Sequence, residues 1–325
     1  MDERRNNIRV WWHLFRIWSL TATIVPIWVA MCINRFACRT NFVLALLSCG
    51  ALQIACNLLN TWGDYRGGVD RAGSPCSHPE LVDGTVKPAH VLAMGMAMLA
   101  IGIAVAAVLI YRCRGLFWPL LAIAVIGILG VLNYATGIRF KYRGFGLICV
   151  FFLMGYLLIA AADMCLGGKM TDPANRPGFG TWLFGVTLMG LPISSLVACI
   201  MHANDMRDIE GDREAGIKTP SVIFGRKGAL VIYTALHAAA YVTPLILLAD
   251  ALSSRSIRDI KSWVIAFGVT IALVLPMTVR TVHRAFVNRN GVPSTDWKML
   301  LPETARIHLL YGLLYGLGCW LIIIL

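Results

Sequence analysis

The chain has 325 residues, of which 58% are hydrophobic and only 14% are charged, and its net charge is +12. A soluble domain carries about 25% charged residues, and here the apolar residues form long blocks, so the composition excludes an ordinary soluble enzyme. The positive charge does not indicate nucleic-acid binding, because no Lys/Arg stripe with interleaved aromatic residues lies outside the apolar blocks. Basic residues instead flank these blocks, which is typical of a protein that spans a bilayer.

The apolar residues form nine segments that are long enough to cross a membrane as helices. A helical span needs about 20 mostly apolar residues. The segments that meet this length are 11–34, 41–61, 88–111, 115–134, 144–164, 179–203, 228–248, 261–285 and 305–325. The sequence therefore predicts an all-α protein, a polytopic membrane helical bundle that forms one transmembrane domain over residues 1–325. Its predicted surrounding is a lipid bilayer, and no nucleic-acid partner is expected.

Charged residues are distributed unequally between the two ends of the predicted spans. The N-terminal tail and the loops after spans 2, 4, 6 and 8, with the adjoining span ends, contain 20 of the 29 Lys and Arg residues. Because loops rich in Lys and Arg stay in the cytoplasm, we expect a multi-pass protein of the cell inner (plasma) membrane with these loops cytoplasmic. The same side has 13 of the 17 acidic residues. Insertion does not explain that excess, since acids contribute little to topology.

The first acidic motif lies at the end of span 2, in the sequence NLLNTWGDYRGGVD. Asn57, Asn60 and Asp64 are three and four residues apart, so a helix places them on one face. Asp70 follows six residues later. Acidic groups near the bilayer are costly and indicate function.

The second acidic motif, NDMRDIEGDREAG, lies at the end of span 6. Asn204, Asp208 and Asp212 are four residues apart, which again predicts one helical face. Four spans separate the two motifs, so both are expected on the same side of the membrane. His202, one turn before this motif, either orients the site, acts on a substrate proton or is a packed structural histidine.

Together the two motifs predict a site for magnesium and a diphosphate. Hard divalent cations take carboxylate and amide oxygens, and Mg²⁺ typically uses one or two carboxylates with substrate phosphates and water. Bridging cations allow a diphosphate to approach carboxylates, and basic residues complete the neutralisation. The candidate basic residues are Arg66, Arg71, Lys141, Arg207, Arg213 and Lys218.

These motifs resemble those of the UbiA superfamily of intramembrane aromatic prenyltransferases, and the resemblance extends over nearly the whole chain. Bacterial members commonly have N-x-x-N-D-x-x-D as the first motif, whereas this chain has Thr61 in place of the first Asp, which resembles the animal form. The stretches HANDMRDIEGDREAGIKT, YATGIRFKYRGFG and RIWSLTATIVP are similar to the second motif, the loop after span 4 and the opening R-P-x-x-L pattern. Asp205, Leu147 and Ile17 depart from these patterns. The likeness is closest to the menaquinone branch.

The resemblance implies nine spans around a central cavity with the acidic motifs at its cytoplasmic mouth. It implies an enzyme that needs magnesium and no organic cofactor, with a polyprenyl diphosphate and an aromatic acceptor as substrates. The implied catalytic residues are Asp64, Asp208 and Asp212, and the implied metal ligands are these three and Asn60. The implied substrate-binding residues are Asn57, Asn60, Arg66, Asp70, Tyr134, Lys141, Tyr142, Asn204 and Arg207.

The predicted reaction transfers a polyprenyl group from an allylic polyprenyl diphosphate to 1,4-dihydroxy-2-naphthoate, with decarboxylation, in menaquinone biosynthesis. A second interpretation keeps the enzyme class and changes the acceptor to 4-hydroxybenzoate, homogentisate, a chlorin, haem or a glycerol phosphate lipid. A third is a membrane transporter, which inverted repeats and midplane charges would favour. The acids of this chain lie instead at span ends on one face.

Overall fold

The computed structural model describes residues 2–34, 37–72, 79–167, 178–253, 261, 263–287 and 297–324, and the regular secondary structure in these ranges is helical. The α-helices are Asp2–Phe15, Thr21–Cys32, Arg39–Arg66, Pro88–Arg112, Phe117–Asn133, Gly146–Cys149, Leu158–Leu166, Phe179–Arg207, Ile209–Glu214, Pro220–Ala239, Val242–Ser253, Val269–Val287 and Leu300–Ile324. Segments of π-helix lie at Val150–Leu157 and Val264–Gly268. Turns of 3₁₀-helix lie at Ile17–Leu20, Pro79–Leu81, Arg114–Leu116, Phe140–Arg143 and Trp297–Met299.

Nine helical stretches within the described ranges are long and apolar enough to cross a membrane. In chain order, spans 1 to 9 are Ile8–Cys32, Arg39–Arg66, Pro88–Arg112, Arg114–Asn133, Gly146–Leu166, Phe179–Arg207, Pro220–Asp250, Val264–Val287 and Trp297–Ile322. The predicted all-α membrane bundle with nine spans is confirmed. Spans 2 and 6 end at Arg66 and Arg207, beyond the predicted ends at 61 and 203. The helices continue because polar residues of both motifs face the protein interior instead of lipid.

The first and last spans pack closely and complete the bundle. Gly312 and Gly316 of span 9 lie directly against Val25 and Trp28 of span 1, where an added side chain would collide. Small residues let membrane helices approach in this way. Span 6 is the most buried, with 56% of its most apolar stretch inside the protein, whereas only 11% of span 4 is buried. Span 4 therefore lies at the periphery of the bundle.

The loop between spans 4 and 5 is tied to the helix ends that carry the acidic motifs. The Lys141 amide donates to the Tyr134 carbonyl at 2.9 Å, and the Lys218 amide donates to the Tyr142 carbonyl at 3.1 Å. Arg139 begins a tight turn with a left-handed backbone, φ 60°, which is uncommon outside glycine. Together with the contact of Lys141 Nζ with Asp64, these hydrogen bonds bring the loop and both motifs to one end of the bundle, which we call the mouth.

Buried polar contacts join the helices at the other end, which we call the closed end. The Asp163 carboxylate of span 5 accepts from Asn34 Nδ2 at 3.0 Å and from Trp182 Nε1 at 2.8 Å. Asn41, at the start of span 2, accepts from Arg112 Nε at 2.8 Å. Spans 1, 5 and 6, and spans 2 and 3, are thereby connected where they leave the apolar interior.

Candidate active site

A cavity of about 860 Å³ begins at the mouth and extends toward the closed end. Its wall is formed by spans 1 to 6 and span 9. Carboxylates and basic groups line the mouth, while apolar or small residues such as Gly127, Met154 and Leu158 line the deeper part, which reaches Cys165. This is the central cavity that the resemblance implied. Its shape suits a long apolar molecule with a charged head group.

Asp64 of the first motif is buried at the mouth, with 6% of its surface exposed. Its carboxylate accepts from Lys141 Nζ at 3.0 Å and from the Tyr142 hydroxyl. The same Nζ lies 3.4 Å from Asn60 Oδ1. Spacing along span 2 thus places Asn60 and Asp64 on one face, and the loop after span 4 brings the Lys141 ammonium into contact with both.

The second motif gathers around a break at the end of span 6. Arg207 Nε and Nη2 each donate to the Asp208 carboxylate at 2.6 Å, and Nη2 also donates to Asn204 Oδ1 at 2.9 Å. Span 6 ends at Arg207, and a separate short helix begins at Ile209. The helix is therefore interrupted at Asp208, where the backbone turns. Asn204, Asp208 and Asp212 nevertheless all line the cavity.

Negative charge is crowded at the mouth. Burial raises the pKa of Asp212 to about 7; Lys141 opposes this rise, and repulsion by Asp208 and Asp64 adds to it. Burial also raises the pKa of Asp70 to about 6, with further repulsion from Asp64. Burial acts to lower the pKa of Lys141, but attraction to Asp64 outweighs burial and raises it. A divalent cation would offset the excess charge of these acids.

The oxygen donors fit magnesium that is shared with a diphosphate. Across the described ranges, no three acidic, histidine or cysteine side chains form a metal-binding group. The candidate donors come instead from two helix ends, with Asn60 and Asp64 on one and Asp208 and Asp212 on the other. Mg²⁺ usually takes only one or two carboxylates and completes its coordination with phosphate and water. An incomplete protein ligand set is what such a shared site requires.

Tyr134, Asp70 and Asn57 also line the cavity, as predicted substrate-binding residues should. Burial raises the pKa of Tyr134 well above its usual range, so this side chain stays neutral. Asn57 Nδ2 donates to the Phe15 carbonyl and to Ser19 Oγ, both at 3.0 Å. Asn57 therefore also ties span 2 to span 1.

The structure places two predicted substrate-binding residues, Arg66 and Tyr142, outside the cavity lining. Arg66 is exposed, and its guanidinium lies 5.2 Å from the centre of the Trp62 ring, outside the cavity lining. It follows Asp64 by two residues, about 200° around a helix, so the two side chains point in different directions. We remove Arg66 from the substrate-binding set. Tyr142 also lies outside the lining and reaches the site through its hydrogen bond to Asp64.

Two further residues differ from what their sequence positions suggested. His202 is fully buried and its Nε2 lies 2.8 Å from the Ala229 carbonyl, which supports the packed structural histidine. Arg16, which was not among the predicted site residues, lines the cavity. It has a left-handed backbone, φ 51°, and its Nη2 donates to Thr61 Oγ1 at 3.2 Å. Its position as the arginine of the stretch that resembles R-P-x-x-L could have predicted that it lies in the site.

The chain resembles a known family profile and known proteins over most of its length. The profile of the UbiA prenyltransferase family matches residues 20–285. The 1,4-dihydroxy-2-naphthoate octaprenyltransferase of Bacillus subtilis (strain 168) is 27% identical over 314 residues, which cover 95% of this chain and 92% of that protein. The UbiA prenyltransferase domain-containing protein 1 of Homo sapiens is 28% identical over 310 residues, 93% of this chain and 81% of that protein.

Solved structures share the fold. A UbiA homolog from Aeropyrum pernix K1 aligns with a TM-score of 0.63 at 18% identity, over 94% of this chain and 97% of that one. A UbiA homolog from Archaeoglobus fulgidus bound to GPP and Mg²⁺ aligns with a TM-score of 0.61 at 20% identity, over 96% and 99%. With the family match extending over most of the sequence, this chain belongs to the UbiA prenyltransferase family and is a multi-pass membrane prenyltransferase.

Proposed function

We propose that the protein transfers a polyprenyl group from an allylic polyprenyl diphosphate to 1,4-dihydroxy-2-naphthoate, with decarboxylation, as a step of menaquinone biosynthesis. The observation that carries the proposal is that the acids of both motifs line the mouth of one long, largely apolar cavity. The diphosphate lies at the mouth and the prenyl tail lies in the apolar part. A membrane enzyme can receive such a lipid-soluble substrate directly from the bilayer.

The diphosphate is bound by residues of the mouth. Asn60, Asp64, Asp208 and Asp212 are the proposed magnesium ligands. When bound, magnesium supplies Lewis-acid stabilisation of the negative charge on the departing diphosphate. Lys141 and Arg207 bind the remaining phosphate charge, and the planar guanidinium of arginine can hold two oxygens at once.

The reaction begins when the carbon–oxygen bond of the donor breaks and its electron pair leaves with the diphosphate. Tyr134 stabilises the allylic cation through its ring face, because this ring lies in the cavity wall. Tyr142 does not, since its ring lies outside the lining and is already faced by Lys141 and Arg139 at 5.5 and 5.8 Å. The apolar wall keeps water from the cation.

The acceptor then attacks the allylic carbon through the electron-rich ring carbon that bears the carboxylate, and a new carbon–carbon bond forms. The carboxylate leaves as carbon dioxide, and the electrons of its bond return to the ring. The Bacillus subtilis relative supports this acceptor by its name. The human relative is similarly close, and its name specifies no acceptor. The other acceptors considered above are therefore the second candidate function.

We also propose that the mouth faces the cytoplasm from the cell inner (plasma) membrane. The support is the excess of Lys and Arg on that side, where 20 of the 29 basic residues lie. Soluble acceptors and free magnesium reach the mouth from that compartment. Labelling of single cysteines introduced at the mouth of a cysteine-free variant, with a membrane-impermeant reagent on intact cells, tests the orientation. No labelling before lysis is expected.

The reaction is tested with purified protein in nanodiscs, labelled polyprenyl diphosphates and a panel of acceptors. We expect a prenylated, decarboxylated naphthoquinol from 1,4-dihydroxy-2-naphthoate in the presence of magnesium. If only another acceptor gives product, that acceptor replaces 1,4-dihydroxy-2-naphthoate in the proposed function. No product from any acceptor would contradict the proposed function. Mass spectrometry of the host's quinones supplies an independent check, because naphthoquinones must be present.

A further inference from the structure

Span 9 presents a cation to the cavity that the proposed chemistry has not used. Its cavity face consists of Pro302, Ala305, Arg306 and Leu309, which have the spacing of one helical face. Arg306 is exposed there, and no other residue of the described ranges gives it a hydrogen bond or an ion pair. The charge of Arg306 is thus available to a ligand in the cavity.

The nearest acid on the same helix does not neutralise Arg306. Glu303 accepts from Thr281 Oγ1 at 3.1 Å and forms an ion pair with Arg284. Both partners belong to span 8, so Glu303 points away from the cavity. The other residues near Arg306 on its own face are uncharged.

The basic residues that contact the two motifs, unlike Arg306, are paired with acids. Lys141 Nζ lies 3.0 Å from the Asp64 carboxylate, and Arg207 lies 2.6 Å from the Asp208 carboxylate. These cations belong to the acidic motifs and to the diphosphate that the motifs are proposed to bind. Arg306 belongs to a different wall and so provides a second place for an anion.

Arg306 also lies inside the membrane-spanning part of the wall. The regular helix of span 9 begins at Leu300, so Arg306 is about 9 Å along it at 1.5 Å per residue. Charges within spans are costly and typically face a cavity and a partner. The contact of Gly312 with Val25 sets the register of spans 9 and 1. Because both spans run in the same direction, Arg306 is level with Ser19.

Neutral hydrogen-bonding groups line the cavity near this level, together with Arg16, whose Nη2 donates to Thr61 Oγ1 at 3.2 Å. Ser19 Oγ accepts from Asn57 Nδ2 at 3.0 Å and from Gln53 Nε2 at 3.4 Å. The amide oxygens of Asn57 and Gln53 remain as acceptors for hydroxyl groups of a ligand. A guanidinium is suited to a carboxylate, which it can bind with two parallel hydrogen bonds. A hydroxylated aromatic acid carries both kinds of group.

We propose that Arg306 binds the carboxylate of an aromatic acid acceptor and thereby selects acceptors that carry one. This inference rests on the proposed function, because it names the group that fixes the acceptor in that reaction. The acceptor lies against spans 1 and 9, and the donor diphosphate lies against the two motifs. Separate anion sites keep the two negatively charged substrates from competing for one cation.

Steady-state kinetics of Arg306→Gln with two acceptors test the proposal. One acceptor is 1,4-dihydroxy-2-naphthoate and the other is 1,4-dihydroxynaphthalene, which lacks the carboxylate. We expect the KM for the carboxylated acceptor to rise roughly tenfold or more, on the scale of a lost hydrogen bond to a charged group. The KM values for the carboxylate-free acceptor and for the polyprenyl diphosphate should remain near those of the wild type.

Two further variants complete the design. Arg306→Lys keeps the charge and loses the fork of donors, so its KM for the naphthoate should lie between those of the wild type and Arg306→Gln. Arg280→Gln removes an exposed arginine of span 8 that lies outside the cavity lining, and it should behave as the wild type. An equal rise in KM for both acceptors, or a rise in KM for the diphosphate, would overturn the proposal.

Equilibrium binding of unreactive 2-naphthoate, measured by titration calorimetry, separates this proposal from the proposed function. Binding that Arg306→Gln weakens, without any turnover of hydroxylated acceptors by the wild type, would support the carboxylate site and contradict the proposed reaction. Normal turnover of the naphthoate with 2-naphthoate binding unchanged in Arg306→Gln would leave the reaction intact and refute the carboxylate site.

Discussion

The mouth and the closed end both bury an aspartate of a span, and the two carboxylates differ in whether they line the cavity. Asp64 at the mouth and Asp163 at the closed end are each 6% exposed. Asp64 pairs with the Lys141 ammonium beside a cavity that other acids line. Asp163 accepts hydrogen bonds from Asn34 and Trp182 and lies outside the cavity lining. Equal burial therefore accompanies two different arrangements.

The comparison teaches that burial alone does not distinguish a functional carboxylate from a structural one. At the mouth, like charges repel each other, which adds to burial in raising the pKa of Asp212 to about 7. Such crowding is unfavourable unless a ligand offsets it. At the closed end, the carboxylate fastens three helices and faces no cavity. Ligand removal and substitutions at the two ends should therefore separate functional carboxylates from structural ones.

Removal of magnesium should abolish prenyl transfer. A chelator leaves the crowded carboxylates of the mouth in place and removes the charge that allows a diphosphate to approach them. Turnover of labelled polyprenyl diphosphate measures the effect, and added magnesium should restore it. Turnover that persists in chelator would show that the mouth is not a magnesium–diphosphate site.

Asp64→Asn or Asp208→Asn should lower kcat at least a hundredfold. The expected loss is about 3 kcal/mol or more, the scale of a lost electrostatic group in a transition state. Asp83→Asn is a matched control, because Asp83 is an exposed carboxylate on a loop outside the cavity lining. Near-normal turnover by both mouth variants would remove these residues from the mechanism.

Asp163→Ala should lower stability and leave chemistry largely intact. The buried indole N–H of Trp182 would lose its partner and Asn34 Nδ2 would keep only the Ala30 carbonyl, which costs about 2–3 kcal/mol in the free energy of unfolding. Thermal unfolding in detergent gives the stability, and kcat per folded molecule gives the activity. A stable variant with a large loss of kcat would contradict the structural role of the closed end.

Ala161→Phe should change which donors are accepted without changing the chemistry. Ala161 lines the deep part of the cavity, near the closed end, so a larger side chain shortens the space for the prenyl tail. We expect kcat/KM to fall for long donors and to be retained for short ones. Ala122→Phe is the control, since Ala122 is exposed on span 4 and outside the lining. An equal loss of kcat/KM for donors of all lengths would contradict the placement of the prenyl tail in the deep part of the cavity.

Much of the architecture could be predicted from the sequence because the bilayer constrains it strongly. Long apolar blocks leave few alternatives to helical spans, and all nine predicted spans are present in the described ranges. Helical spacing also placed Asn60 and Asp64 correctly, since both contact Lys141. In these cases the local periodicity and the tertiary contacts agree.

The sequence was less informative where tertiary contacts decide the outcome. Spacing alone did not reveal the break at Asp208, because four-residue periodicity is compatible with a continuous helix. Arg66 was included as a basic residue near the motif, although its side chain points away from the face of the helix that lines the cavity. Arg16 and Arg306 are remote from both motifs in sequence. They meet the cavity only because spans 1 and 9 pack side by side.

That contact between the first and last spans has a consequence for biogenesis. Span 9 closes the cavity wall where Gly312 lies against Val25 of span 1, so a chain in which span 9 has not yet inserted leaves the cavity open on one side. Catalysis must therefore await the insertion of span 9, the segment that closes the reactive chamber.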